Sequence, residues 1–292
     1  MYELTPIQTM LSIEGLNDRL FDLSFAEDIG DGDHTTLCCI PADAVGQSRL
    51  LIKEEGILAG VRAAKEIFRR FDPELQVEEH IPDGARVKPG DVPFIVTGRV
   101  RSLLQTERLM LNVMQRMSGI ATTTRRYADR IAGTGARVLD TRKTTPGMRM
   151  LEKEAVRIGG GTNHRIGLFD MILLKDNHVD FCGGIDNALN RCAEYQRERG
   201  LDLRVEIECR SLDEIRQVLE NGKAHRIMLD NFSVERTREA VELIGHRMET
   251  ESSGGITLDT IRDYALCGVD FISVGALTHS VKSLDISFKS VK

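Results

Sequence analysis

Between Arg137 and Val274 short β-branched runs alternate with amphipathic stretches. Arg137–Thr141, Met171–Lys175, Arg204–Cys209, Arg226–Leu229, Met248–Ser252 and Phe271–Val274 read as strands, with helices over Met150–Ile158, Ile185–Arg199, Leu212–Glu220, Val234–Ile244 and Leu258–Leu266. That rhythm predicts parallel strands joined by helical crossovers. Gly200, Gly222, Gly245 and Gly268 follow four of the helices, where a residue free to turn left-handed closes the last turn. Such units build either a barrel or an open doubly wound sheet. The Gly-x-Gly-x-x-Gly fingerprint of dinucleotide binding is missing after the first strand, and Gly159-Gly160-Gly161 follows a helix, so it reads as a loop and the open sheet is weakened.

The preceding stretch follows another pattern. Gln47–Lys53 and Phe94–Thr97 read as strands, Arg62–Phe71 as a helix, and Pro82-Asp83-Gly84 and Lys88-Pro89-Gly90-Asp91 as turns between short strands, which makes a separate α+β unit. Leu103–Met117 carries Leu103, Leu104, Met110, Leu111, Met114 and Met117 at helical spacing and bridges the two; a Met stripe of this kind is expected in a core. The expected domains are 1–117 and 118–280, with the tail 281–292 packed on the first.

Charge narrows the function. The chain sums to −6, yet Arg99 to Lys175 holds 15 Lys and Arg against 6 Asp and Glu, or +9, leaving −15 for the rest. With no Trp and an acidic total, an extended nucleic-acid surface is a poor account of so local a cluster, and a small anionic ligand fits better. No run approaches the roughly 20 apolar residues of a membrane span. Met1-Tyr2-Glu3-Leu4-Thr5 lacks the basic start and apolar run of a secretory leader, so a cytoplasmic protein is expected, with no membrane partner. Cys38, Cys39, Cys182, Cys192, Cys209 and Cys267 lack zinc spacing and are expected to be mostly reduced, structural thiols.

In a barrel of parallel strands the active site lies at the C-terminal strand ends. Here those ends carry Asp140-Thr141-Arg142-Lys143, Lys175-Asp176-Asn177-His178, Glu206 with Glu208, Asp230-Asn231, Glu251-Ser252-Ser253-Gly254-Gly255, and Gly275-Ala276-Leu277-Thr278-His279. Arg142, Arg165 and Lys175 suit carboxylates, and Lys143 suits a diphosphate. Glu206 and Glu208 lie two apart on a strand and share a face, so with Asp230 they suit a hydrated Mg2+. Ser253-Gly254-Gly255 is expected to lead into a helix whose first amides suit a phosphate. A lone acid or His is usually structural, and Gly-Gly marks any turn; convergence at successive strand ends carries the reading.

At these phrases the sequence resembles the quinolinate phosphoribosyltransferase family of type II phosphoribosyltransferases. The likeness runs from Phe25-Ala26-Glu27-Asp28-Ile29-Gly30-Asp31-Gly32-Asp33 through Thr106-Glu107-Arg108, Met117-Ser118-Gly119-Ile120-Ala121-Thr122, Asp140-Thr141-Arg142-Lys143-Thr144-Thr145-Pro146-Gly147, Asn163-His164-Arg165 and Leu174-Lys175-Asp176-Asn177-His178 to Val274-Gly275-Ala276-Leu277-Thr278-His279-Ser280. It implies an α/β fold with an N-terminal α+β sandwich and an incomplete, seven-stranded α/β barrel, one strand more than the pattern yields. It also implies quinolinate and phosphoribosyl pyrophosphate as substrates, Mg2+ as the ion, and a homodimer with shared active sites. By the same resemblance Arg142, His164, Arg165 and Lys175 bind quinolinate, with Arg108 from the other subunit. Lys143, Glu206, Asp230, Ser252, Ser253, Gly254, Gly255, Gly275 and His279 take the ribose and phosphates, Lys143, Glu206 and Asp230 acting in catalysis and the last two holding metal. Relatives acting on nicotinate, or a non-catalytic sensor of a phosphorylated metabolite, are the alternatives.

Overall fold

A computed structural model describes residues 15–291; the leader reading at Met1–Thr5 lies outside them. The chain begins with helices α1 (Leu16–Ile29) and α2 (His34–Cys39), then β1 (Val45–Ile52), β2 (Gly56–Ile57), α3 (Val61–Phe71), β3 (Gln76–Glu79), β4 (Arg86–Val87), β5 (Phe94–Arg99) and the long α4 (Val100–Arg130). It continues through β6 (Arg137–Leu139), α5 (Arg149–Ile158), β7 (Ile172–Leu174), α6 (Asp176–Cys182), α7 (Ile185–Arg199), β8 (Val205–Cys209), α8 (Leu212–Asn221) and β9 (Arg226–Asp230). It ends with α9 (Val234–Ile244), β10 (Glu249–Ser253), α10 (Ile261–Ala265), β11 (Phe271–Ser273), α11 (Ala276–His279) and β12 (Ile286–Ser290).

The chain divides into two units. The first takes the chain as far as Thr123, Thr144–Gly160, and everything from Thr278 on; the second takes Thr124–Lys143 and Gly161–Leu277. In the first, an antiparallel sheet runs in the order β12-β1-β5-β3. Alternation points Leu50 and Ile52 of β1, Phe94 and Val96 of β5, and Ile286 and Phe288 of β12 inward. Phe68 of α3 meets Phe94 edge-on at 6.1 Å and stacks on Phe288 at 6.2 Å. Strand β12 was not among the expected strands. The Met stripe is core, with Met110, Met114 and Met117 all buried, and its helix is longer than the Leu103–Met117 apolar pattern that betrayed it.

In the second unit all six expected strands form, in parallel, in the order β6-β11-β10-β9-β8-β7. The seventh strand implied by resemblance is reduced to one parallel bridge, Thr162 to Leu139, on the outer edge of β6. Its shortness has a local cause. Beyond Thr162 the amides of His164 to Gly167 donate to side chains instead of to a neighbouring strand. Gly200, Gly222 and Gly245 close α7, α8 and α9 in left-handed conformation, as the sequence indicates.

Register fixes which residues line the inner face. Glu206 pairs with Arg226 and Arg226 with Glu249; Glu208 pairs with Met228, Met228 with Glu251 and Glu251 with Phe271; Asp230 pairs with Ser253. In a parallel ladder such partners point the same way. The opposite face, with Val205, Ile207, Ile227 and Leu229, is apolar and buried, as expected of strands covered by helices.

Two expectations need correction. Leu258–Leu266 contracts to α10, because Thr257 and Thr260 bond each other through backbone and hydroxyls and hold the preceding turn out of helix. Nor is the Arg99–Lys175 charge run a single patch. Arg99 forks onto Asp72, Arg101 donates to the carbonyls of Leu37 and Ile40, and Arg116 pairs with buried Glu152. All six cysteines are free, Cys209 and Cys267 being buried.

Candidate active site

At the C-terminal ends of the second unit's strands, Lys175 Nζ lies 4.0 Å from Glu208 Oε2. Lys175 immediately follows β7, and its backbone N–H donates to His178 Nδ1 at 2.9 Å, so His178 serves as a cap for α6. Glu208 is half-buried. Burial raises its pKa, and the charge of Asp230, the next strand's terminal residue, raises it further against the opposing pull of Lys175. Glu208, rather than Glu206, is therefore the acid that shares this end with Asp230.

Glu206 sits one pleat deeper and is fully buried. Its Oε2 is 3.0 Å from His164 Nε2, which is also 3.4 Å from Glu251 Oε2. Arg226 Nη1 donates to Glu251 Oε2 at 3.1 Å, its Nε and Nη2 reach Glu249, and its guanidinium lies 4.1 Å from the centre of the Phe271 ring. Burial and the Glu251 charge push Glu206 up to about 7, while His164 and Arg226 hold Glu251 down against its own burial. Burial disfavours a charged His164; the two acids favour it and would carry its pKa to about 9. The Arg165 N–H donated to Nδ1 at 2.7 Å opposes them, since a doubly protonated ring has no lone pair there, so the proton belongs on Nε2. The ligand atoms of His164, Glu206 and Glu251 lie within 4.8 Å of one another, a spacing a metal tolerates, but Arg226 already supplies their counter-charge.

Arg165 is half-buried, and among the described residues its guanidinium makes one long bond, 3.4 Å to the Met171 carbonyl. Its pKa is lowered by burial and then by the neighbouring cation Arg142, with Glu206 and Asp170 opposing. Arg142 and Lys143 are exposed on the segment after β6, where the Thr141 hydroxyl accepts the Lys143 N–H at 3.0 Å.

Ser253 ends β10 beside Asp230, and its carbonyl accepts the Asn231 N–H at 2.9 Å. Gly254 has φ 101°, and a Cβ there would collide with the Asn231 side-chain oxygen, so only Gly fits. No helix follows directly: α10 starts at Ile261, which removes the expected helix N-terminus from Ser253-Gly254-Gly255. Ser252 alternates to the opposite face from Glu251 and Ser253 and is buried. Gly275 immediately precedes α11. Two site candidates lie in the first unit. His279, exposed, has Nδ1 2.6 Å from Ser280 Oγ, and Arg108, exposed on α4, lines a cavity of 650 Å³ with Leu20, Asn112 and Met148. Arg226 and Glu251 take no part in the expected binding set; the signal for them was charge on the inner face of strands that otherwise alternate with apolar residues.

Residues 33–118 match the model of the quinolinate phosphoribosyl transferase N-terminal domain, and 120–289 that of its C-terminal domain. The chain belongs to this family. The chloroplastic nicotinate-nucleotide pyrophosphorylase [carboxylating] of Arabidopsis thaliana is 48% identical over 282 residues, covering 91% of this chain and 80% of the relative. The probable enzyme of that name from Bacillus subtilis is 42% identical over 269 residues, covering 92% and 91%. Among solved structures, the nicotinate-nucleotide pyrophosphorylase of Francisella tularensis superposes with a TM-score of 0.89 at 38% identity, over 96% of this chain and 98% of that one. NadC from Streptococcus pyogenes gives 0.87 at 36% identity over all of both chains. The family's α/β fold, a sandwich and a barrel-like parallel sheet, is thus the one this chain adopts.

Proposed function

We propose that this chain transfers the phosphoribosyl group of phosphoribosyl pyrophosphate to quinolinate with loss of CO2, giving nicotinate mononucleotide and pyrophosphate for NAD biosynthesis. The observation that carries the reading is Arg165, whose pKa is lowered by burial and by the neighbouring Arg142 charge and whose guanidinium makes one long bond among the described residues. Such a pair calls for a dianion. Quinolinate supplies two carboxylates, and Lys175 adds a third cation at the same strand ends.

Lys143 is assigned to the diphosphate, and Ser253, Gly254, Gly255 and Gly275 to phosphate oxygens. As pyrophosphate leaves, positive charge builds on the ribose C1, and the carboxylates of Glu208 and Asp230 stabilise it. Those two acids also fit Mg2+, because both are oxygen ligands and the charge of one already disfavours the other's. The ion, when bound, neutralises the diphosphate. Loss of CO2 needs no organic cofactor, since ribosylation makes the ring nitrogen a pyridinium that accepts the electrons of the breaking bond; Arg142 and Arg165 hold the ring meanwhile.

The working unit is a homodimer in which Arg108 enters the partner's site. Its exposure, and the absence of any acceptor for it among the described residues, support that role. Among the described residues no helix is long and apolar enough to cross a membrane. The cytoplasm is the proposed compartment, although the plant relatives are described as chloroplastic or mitochondrial.

Incubation with quinolinate, phosphoribosyl pyrophosphate and Mg2+ should yield nicotinate mononucleotide and CO2 in equal amounts. Turnover with nicotinate in place of quinolinate, without CO2, would replace this reading by that of the nicotinate-acting relatives. Binding of phosphorylated metabolites without turnover would replace it by a sensor.

A further inference from the structure

Four consecutive backbone amides stand where the seventh barrel strand would run, and side chains take them all. The His164 N–H donates to Asp140 Oδ1 at 2.8 Å, the Arg165 N–H to His164 Nδ1 at 2.7 Å, and the Ile166 and Gly167 N–H groups to the two oxygens of Asp170 at 2.7 and 2.8 Å. With no strand pairing beyond Thr162 among the described residues, those three side chains help to set the segment's conformation. Asp140 and Asp170 are carboxylates that accept in any ring state. The His164 ring is different: it accepts at Nδ1 only while its proton is on Nε2.

Nε2 faces Glu206 Oε2 at 3.0 Å and Glu251 Oε2 at 3.4 Å, and Arg226 fixes Glu251 from the other side at 3.1 Å. Both ring nitrogens are therefore turned to the protein. Nε2 is buried against those acids and Nδ1 accepts the Arg165 N–H, so the ring turns no exposed nitrogen towards a substrate carboxylate, which runs against the expectation that His164 binds quinolinate itself.

We infer that Glu206, Glu251 and Arg226 are positioning residues that hold the His164 ring, and that the ring through Nδ1 fixes the peptide from which Arg165 reaches the quinolinate carboxylate. This rests on the proposed role of Arg165 as a quinolinate ligand. Arg165 needs such support, because among the described residues its own guanidinium has a single long bond. A buried layer beneath the site thus aims a cation that its own contacts hold only weakly.

Quinolinate and phosphoribosyl pyrophosphate binding to the full-length protein are measured by titration calorimetry, with melting curves to confirm folding. His164→Ala should weaken quinolinate by about tenfold, the effect of one lost hydrogen bond and its ordering, and leave phosphoribosyl pyrophosphate within about twofold. His164→Asn, whose short side chain keeps an acceptor for the Arg165 N–H, should recover most of the loss. Nitrogen-15 NMR of the wild-type ring should show Nδ1 bare and Nε2 protonated, and Glu251→Gln should disturb that signature. If wild type binds quinolinate while His164→Asn is as weak as His164→Ala, His164 is a direct ligand and the positioning role is overturned. A proton on Nδ1 overturns it equally. Wild type that does not bind quinolinate at all would strike the proposed function itself, a result the ring's NMR signature keeps separate from the local geometry.

Discussion

Lys175 and Glu208 face each other across 4.0 Å from the ends of neighbouring strands, with Asp230 next in the row. Glu206 has the same chemistry and points to the same side, yet lies one pleat deeper, by about 6.6 Å at the rise of a strand, against His164 and Glu251. Depth along one strand thus places one of two identical side chains at the strand's end beside Lys175 and the other in the buried layer beneath it.

That division predicts opposite phenotypes. Glu208→Gln and Asp230→Asn should lower kcat by about a hundredfold or more with quinolinate affinity nearly unchanged, if the two acids act, as proposed, on charge that develops in the transition state. Glu206→Gln should instead weaken quinolinate through the His164 layer and lower the melting temperature. Steady-state kinetics beside titration calorimetry separates the two, and loss of quinolinate binding in Glu208→Gln with kcat intact would reverse the assignment.

Arg142→Ala and Arg165→Ala should each cost about 2 to 4 kcal/mol in kcat/KM, since each leaves a substrate carboxylate without its counter-charge in a partly desolvated site. The loss should appear in quinolinate binding. Normal affinity in both variants would remove these residues from the quinolinate site.

Asp72 gives a test of stability independent of chemistry. It is buried, accepts Arg99 Nε and Nη2 at 2.8 and 2.6 Å and Ser102 Oγ at 2.6 Å, and has its pKa lowered to about 2, chiefly by Arg99. A folded-state pKa below the unfolded value near 3.8 stabilises the fold above pH 4, and the benefit disappears as pH falls from 4 towards 2. The contribution is at most about 2 kcal/mol, as half-exposed Arg99 is screened by water. Denaturant melts between pH 2 and 6 should lose this slope in Asp72→Asn; an unchanged slope would place the acid sensitivity elsewhere.

The six parallel strands and most of their helices were legible because apolar periodicity and Gly closures are local signals. Helix α9 begins and ends at the expected residues Val234 and Ile244. Thr162 was not legible, since a one-residue bridge has no period. Nor was β12: its alternating Ile286, Ser287 and Phe288 are readable only once β1 offers an edge to pair with. In the site, the phrases marked the strand ends correctly, but one-dimensional alternation places Glu206 and Glu208 on the same face and says nothing of depth. It likewise hides that Arg226 and Glu249, 23 residues apart, sit side by side.

The proposed shared site makes the most demanding prediction. Arg108 lies on α4 in the first unit, exposed, and is proposed to serve the partner's site, with Lys175 proposed to serve its own chain's. Arg108→Ala and Lys175→Ala should each be nearly inactive alone. When the two are mixed, unfolded and reassembled in equal amounts, half the dimers are mixed, and a two-fold interface gives each mixed dimer one site with both residues intact and one with neither. About a quarter of wild-type activity should therefore return on random pairing. If mass spectrometry shows mixed dimers and no activity returns, Arg108 serves its own chain and each site is complete within one subunit.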